Sequence, residues 1–145
     1  MKIILDTNLL FSAIIRPDGK ISEILLDASL NLEKFGCYYS YIELFSHKAK
    51  LLKLSKLSET NLLDIMYRVL KQIDFINENR IPLHFIQAAY ELTKDIDEKD
   101  TIFVALSLHL NCKLWSGDKL LAEGLRKKGF DNIIMTHELL ALLEA

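Results

Sequence analysis

The feature that most constrains this chain is its set of short, largely apolar runs, the first of them unbroken, separated by stretches with helical spacing. Ile3-Ile4-Leu5 comes first and ends at Asp6; Phe35 to Tyr39, Cys112 to Ser116 and Ile133-Ile134-Met135 follow. A strand that alternates apolar and polar residues has one wet face, whereas an unbroken run is buried on both. Strands of the second kind need helices above and below them. The pattern therefore predicts an α/β fold, a three-layer α/β/α sandwich around a central, mostly parallel sheet.

The intervening segments supply the helices. One runs from about Asn8 to Ile15 and is broken by Arg16-Pro17-Asp18-Gly19. Ile21, Ile24, Leu25, Ala28 and Leu32 share a face of the next. Ser40, with Glu43 three residues on, has the spacing of a capping box and predicts a helix through about Leu52. Ser58 opens another, with Leu62, Ile65, Met66, Val69 and Ile73 at helical spacing. A brief strand is read at Ile81 to Leu83, then a helix from about Ile86 to Asp95. Asp97 caps the following helix, which carries Asp100 early and runs to Asn111. Asp118 to Lys128 is helical with Gly129 just beyond its end, and Thr136 caps a last helix to Glu144.

At 145 residues the chain is the size of one domain and long enough to bury a core. No compositional shift, repeat or low-complexity linker divides it, so a single domain over residues 1–145 is expected. Its 18 basic and 20 acidic residues give a net charge of -2, so there is no global positive field and nucleic acid would need local basic patches. Cys37 and Cys112 are too few for a disulfide framework and lie in apolar stretches, which reads as buried thiols. Neither a signal-peptide pattern nor a run of about 18 apolar residues occurs. No membrane association and a cytoplasmic location are the default expectations.

Function is carried by where the acids fall. Asp6 follows the first strand directly, Glu43 comes just after the second, and Asp118 follows the Cys112–Ser116 strand through Gly117. Asp97 and Asp100 open the helix that feeds that strand. In an open parallel sheet these positions gather at the carboxyl edge, where ligands bind. Carboxylates brought together repel and raise one another's pKa unless a cation sits among them. Hard divalent ions such as Mg²⁺ or Mn²⁺ suit that donor set, and no His or Cys at zinc-like spacing accompanies it.

Each acid also has a purely structural reading. Glu43 completes the capping box of Ser40, Asp97 caps a helix, and Asp100 and Asp118 suit the positive end of a helix dipole. Chance placement at every strand end is the weaker account of the set. Asp6 is hardest to explain structurally, since a charge closing an apolar strand has no evident duty there.

With those residues identified, the chain resembles the PIN-domain family. Ile4-Leu5-Asp6-Thr7-Asn8 is similar to that family's first motif, and Glu43 stands where its second acid falls. Asp100-Thr101-Ile102-Phe103-Val104-Ala105-Leu106 resembles the third motif, and Leu114-Trp115-Ser116-Gly117-Asp118 the fourth. The likeness runs through essentially the whole chain in the right order. It implies a parallel sheet flanked by helices, cleavage of single-stranded RNA with Mg²⁺ or Mn²⁺, and often a toxin role beside a cognate antitoxin, the VapC kind. A homodimer is a further family expectation.

The expected roles follow from that resemblance. Asp6, Glu43, Asp100 and Asp118 are the catalytic set. Asp6, Asp100 and Asp118 would hold metal, with Asp97 either a further ligand, a proton carrier or only a cap. Asn8 and Ser116 are candidate substrate contacts, although a helix start and a strand end select the same residues. His47, Lys48, Lys50, Lys53 and Lys56 form a basic run, with Lys48 and Lys50 the nearest candidates for phosphates; Arg126-Lys127-Lys128 is a second cluster that a helix carboxyl end also favours. Two of Tyr38, Tyr39 and Tyr41 are expected to pack, and Trp115 to be core. The alternative function is a catalytically idle PIN-like module that binds RNA or protein.

Overall fold

All residues from 1 to 145 are described by the computed structural model. Strands β1 (Lys2–Leu5), β2 (Glu33–Cys37), β3 (Ile73–Ile76), β4 (Lys113–Trp115) and β5 (Ile133–Ile134) form one sheet in the order β3-β2-β1-β4-β5. Every pairing is parallel, and Ile4 stands opposite Phe35 on one side and Leu114 on the other. The chain builds outward from β1 through β2 to β3, then crosses back to lay β4 against the free side of β1. That reversal opens a crevice at the carboxyl ends of β1 and β4.

Successive side chains of β1 point to opposite faces, and each face has its own core. Ile3 and Leu5 pack with Leu10, Leu62, Met66 and Trp115; Ile4 packs with Val104, Leu106, Leu114 and Leu121. The first face carries α1 (Thr7–Ile15), α2 (Lys20–Leu26), α3 (Tyr39–Ser46), α4 (Lys48–Ser55), α5 (Glu59–Leu70) and α9 (Thr136–Glu144). The second carries α6 (Leu83–Thr93), α7 (Thr101–Leu110) and α8 (Lys119–Lys127). The three expected layers are present.

Several elements fall elsewhere than the sequence suggests. The third strand is Ile73–Ile76, not Ile81 to Leu83: Ile73, which also fits the spacing of α5, pairs instead with Lys34. Pro82 has no N–H to give a ladder, and Ile81 is buried as part of a loop before α6. Helix α2 stops at Leu26 because Asp27 accepts both the N–H and the hydroxyl of Ser29, a local turn that competes with the helix. Leu32 is therefore buried beside β2 rather than on a helix. β2 ends at Cys37, which leaves Tyr38 and Tyr39 outside the sheet. The helix expected from Ser40 to Leu52 breaks at His47 into α3 and α4.

Among the remaining expectations, the glycine after α8, the buried tryptophan and the buried thiols are met, and the cap of the last helix is not. Gly129 follows α8 with a positive φ of 85°. Trp115 is fully buried, and its indole donates to the Thr136 hydroxyl at 3.0 Å. Thr136, expected to cap α9, is instead its first residue: Met135 is the N-cap, and Glu138 accepts the Met135 N–H at 2.9 Å. Cys37 and Cys112 are buried free thiols, and burial pushes the Cys37 thiol up to about 12. No helix is long and apolar enough to cross a membrane.

Candidate active site

The carboxyl end of β1 passes straight into α1, so Asp6 becomes the N-cap of that helix. One carboxylate oxygen accepts the Leu9 N–H at 2.9 Å. The other accepts the Ser116 hydroxyl at 2.9 Å, and the Ser116 oxygen in turn accepts the Asp118 N–H at 3.1 Å. Asp118 caps α8 by accepting the Leu121 N–H at 3.1 Å. Asp6 thus has the structural duty that the sequence did not reveal. A cap alone does not account for it, because Asn caps as well, while a carboxylate left 3 % exposed carries a desolvation cost that an amide avoids.

Glu43 is positioned differently from the sequence expectation. Helix α3 begins at Tyr39 with no side-chain cap, so the capping box does not form. The Thr7 hydroxyl donates to Glu43 Oε1 at 2.8 Å, and its oxygen lies 2.9 Å from the Ser40 hydroxyl. Thr7 has a single hydroxyl hydrogen, which goes to Glu43; Ser40 is then the donor to Thr7. Both groups expected to cap α3 turn instead toward α1.

Asp97 and Asp100 divide the work of their turn. Asp97 accepts the Lys99 N–H at 3.0 Å and shapes the short 3-10 turn Glu98–Asp100. Asp100 stands at the start of α7 without a capping bond of its own. Its carboxylate faces a cleft shared with Asp6, Thr7, Asn8, Glu43, Asp97 and Lys99. Asp118 lines an adjoining cleft with Asn8 and Gly117.

These acids act on one another. Burial pushes Asp6 up to about 6; the charges of Asp118 and Glu43 add to the rise, and the bonds from Leu9 and Ser116 oppose it. Asp100 is pushed up to about 7, by burial first and then by the charges of Asp6, Asp97, Asp118 and Glu43. No three side chains form a closed cation cage in this arrangement. The donors nevertheless fit a hard divalent ion, being carboxylates alone, partly desolvated and mutually repelling, a strain that a cation would relieve.

The remaining candidates separate cleanly. Asn8 is exposed in the acidic cleft and makes no hydrogen bond to Asp6. Ser116 is fully buried and both its bonds run to the site's own acids, so it holds Asp6 and Asp118 rather than meeting substrate. Lys48 pairs with Glu59 at 2.5 Å, away from the acids, whereas Lys50 lines a cleft with Asn8, Glu43 and His47. Two members of the second basic cluster are engaged structurally: Arg126 binds Glu138 and the Ile133 carbonyl, and Lys128 binds Asp95 and the Leu92 carbonyl. Tyr38, Tyr39 and Tyr41 are all exposed, Tyr41 lying against Phe75. Sequence reasoning passed over Thr7 and Lys99, although both adjoin singled-out acids.

Fold and site together define a doubly wound α/β domain with an acidic cleft where its strand order reverses. The chain matches the family model of the PIN domain over residues 4–138 and belongs to that family, which is one of nucleases. Among solved structures it is similar to a chain in the crystal structure of VapBC2 from Rickettsia felis bound to a DNA fragment from their promoter. The TM-score is 0.65 at 16 % identity, covering 93 % of this chain and 97 % of that one. No curated protein sequence matches it.

Proposed function

We propose that this chain, as a single nuclease unit over residues 1–145, is a Mg²⁺- or Mn²⁺-dependent endoribonuclease of single-stranded RNA. The observation that carries the reading is the convergence of Asp6, Glu43, Asp97 and Asp100 on one cleft, with Asp118 beside it, at the switch point of the sheet. When bound there, a divalent ion would supply Lewis acidity, which would lower the pKa of water and offset charge on the scissile phosphate. Asp6, Asp100 and Asp118 would hold it. Thr7 and Ser40 orient Glu43, and Ser116 keeps the carboxylate of Asp6 in register with the start of α8. Asp97 acts through its turn, which it fixes by holding the Lys99 N–H.

The biological setting we propose is that of a cytoplasmic toxin held by a cognate antitoxin protein, by analogy with the VapBC2 complex. Tyr41, Phe45, Leu63 and Tyr67, exposed on α3 and α5, offer an apolar face for a second protein chain, in keeping with a homodimer. A second reading, an idle RNA- or protein-binding module, draws on the lack of a closed cation cage.

The deciding experiment incubates the full chain with total RNA, with and without Mn²⁺. Cleavage that needs Mn²⁺ and is lost in Asp6→Asn and Asp100→Asn, both folded, is the expected result. Full activity in either variant would sink the assignment, and no cleavage by the wild type would favour the idle module.

A further inference from the structure

The acidic cleft does not stand alone. A second cleft, between α1 and α4, is lined by Asn8, Ser12, His47 and Lys50. A third, between α3 and α7, is lined by Tyr39, Ile42, Ser46 and Ile102. Glu43 and Lys99 are the two residues that line all three. They stand at the junction where the flanking clefts meet the acids. Lys99 is the one basic side chain in the acidic cleft, yet it enters no ion pair with any of the carboxylates around it. Its backbone is fixed, because Asp97 accepts its N–H at 3.0 Å, while its side chain stays exposed.

A polyanion approaching four carboxylates is repelled unless a cation meets it at the threshold. We propose that Lys99 binds a backbone phosphate of the substrate strand and that the strand crosses the site at this residue. The strand runs from the His47–Lys50 cleft over Glu43 toward the Tyr39–Ile102 cleft. The assignment rests on the RNA-cleavage reading above. It also gives Asp97 its part: the carboxylate shapes the turn that presents Lys99.

The test measures binding of a fluorescently labelled single-stranded oligouridylate to the full chain carrying Asp100→Asn, across a series of KCl concentrations. Each phosphate contact on a single strand contributes about 0.7 to the slope of log affinity against log salt. Adding Lys99→Ala is expected to lower the slope by about that amount, and Lys99→Arg to restore it. Lys127→Ala, an exposed lysine of α8 outside these clefts, is expected to leave the slope unchanged. Were Lys99 only a partner for Glu43, the slope change would vanish in a Glu43→Gln background, and that result overturns the proposal. So does an unchanged slope in Lys99→Ala when the Asp100→Asn parent binds. A parent and a wild type that both fail to bind single-stranded RNA overturn the RNA reading itself, and this assignment with it.

Discussion

Thr7 is uncharged, yet the position of Glu43 depends on it. Its hydroxyl is the hydrogen-bond donor to Glu43 Oε1, and it is held in that direction because Ser40, fully buried, donates to it from behind. Removing the hydroxyl with Thr7→Val keeps the shape but frees Glu43 and strands the Ser40 donor in the core. A partner that orients a ligand or acid directly is typically worth about 10–100-fold in metal affinity or activity. Thr7→Val is therefore expected to lower the cleavage rate by about that factor and to raise the Mn²⁺ concentration for half-maximal activity. Thr7→Ser, which keeps the donor, is expected to restore most of both. A serine variant as impaired as the valine one would show that packing, not the hydrogen bond, is what Thr7 supplies.

At the scale of elements, the site is made from helix starts. Asp6 caps α1 and Asp118 caps α8, so two of the four catalytic candidates also hold up the helices behind them. Cap and charge can be separated. Asn is as good a cap as Asp, whereas Ala removes the cap at a cost of about 1 kcal/mol. Asp118→Asn is expected to unfold in urea at nearly the wild-type midpoint while losing most activity. Asp118→Ala is expected to lose activity equally and about 1 kcal/mol of stability besides. An active Asp118→Asn would leave the residue with its cap role alone. This double duty also explains what the sequence could and could not show. Strands β1, β4 and β5 are legible because burial on both faces makes them apolar throughout except for Lys2 and Lys113 at the starts of β1 and β4. β3 is not, because it is an edge strand with exposed Asp74, and its Ile73 continues the spacing of Leu62, Met66 and Val69. The acids are legible because the strand ends place them. The direction of the Ser40 and Glu43 side chains is not, since capping-box spacing is the same whether they turn to their own helix or across to α1.

At the scale of the whole molecule, the gathered carboxylates work against the fold, and a bound cation would offset that. The carboxyls of Asp6 and Asp100 ordinarily titrate at 3.8, and in the folded chain they are pushed up to about 6 and about 7. Over that window the folded chain holds protons that the unfolded chain has released. Their contribution to stability is full below about pH 4 and is lost as pH rises through about 6 and then about 7. In EDTA, the Tm is therefore expected to fall from about pH 5 to about pH 8, and to fall less in Asp100→Asn. A divalent ion needs those same carboxyls deprotonated, so it competes with protons for the site. Mn²⁺ is then expected to raise the Tm more at about pH 8 than at about pH 5. At free Mn²⁺ about 100-fold above its Kd the gain is about 2.7 kcal/mol, roughly 8 °C for a chain of this size. The two slopes have opposite sign and a common origin in the crowding of carboxylates at the switch point. A Tm flat in both pH and Mn²⁺ would mean that the acids, though gathered, neither repel strongly nor bind metal, and the idle-module reading would stand.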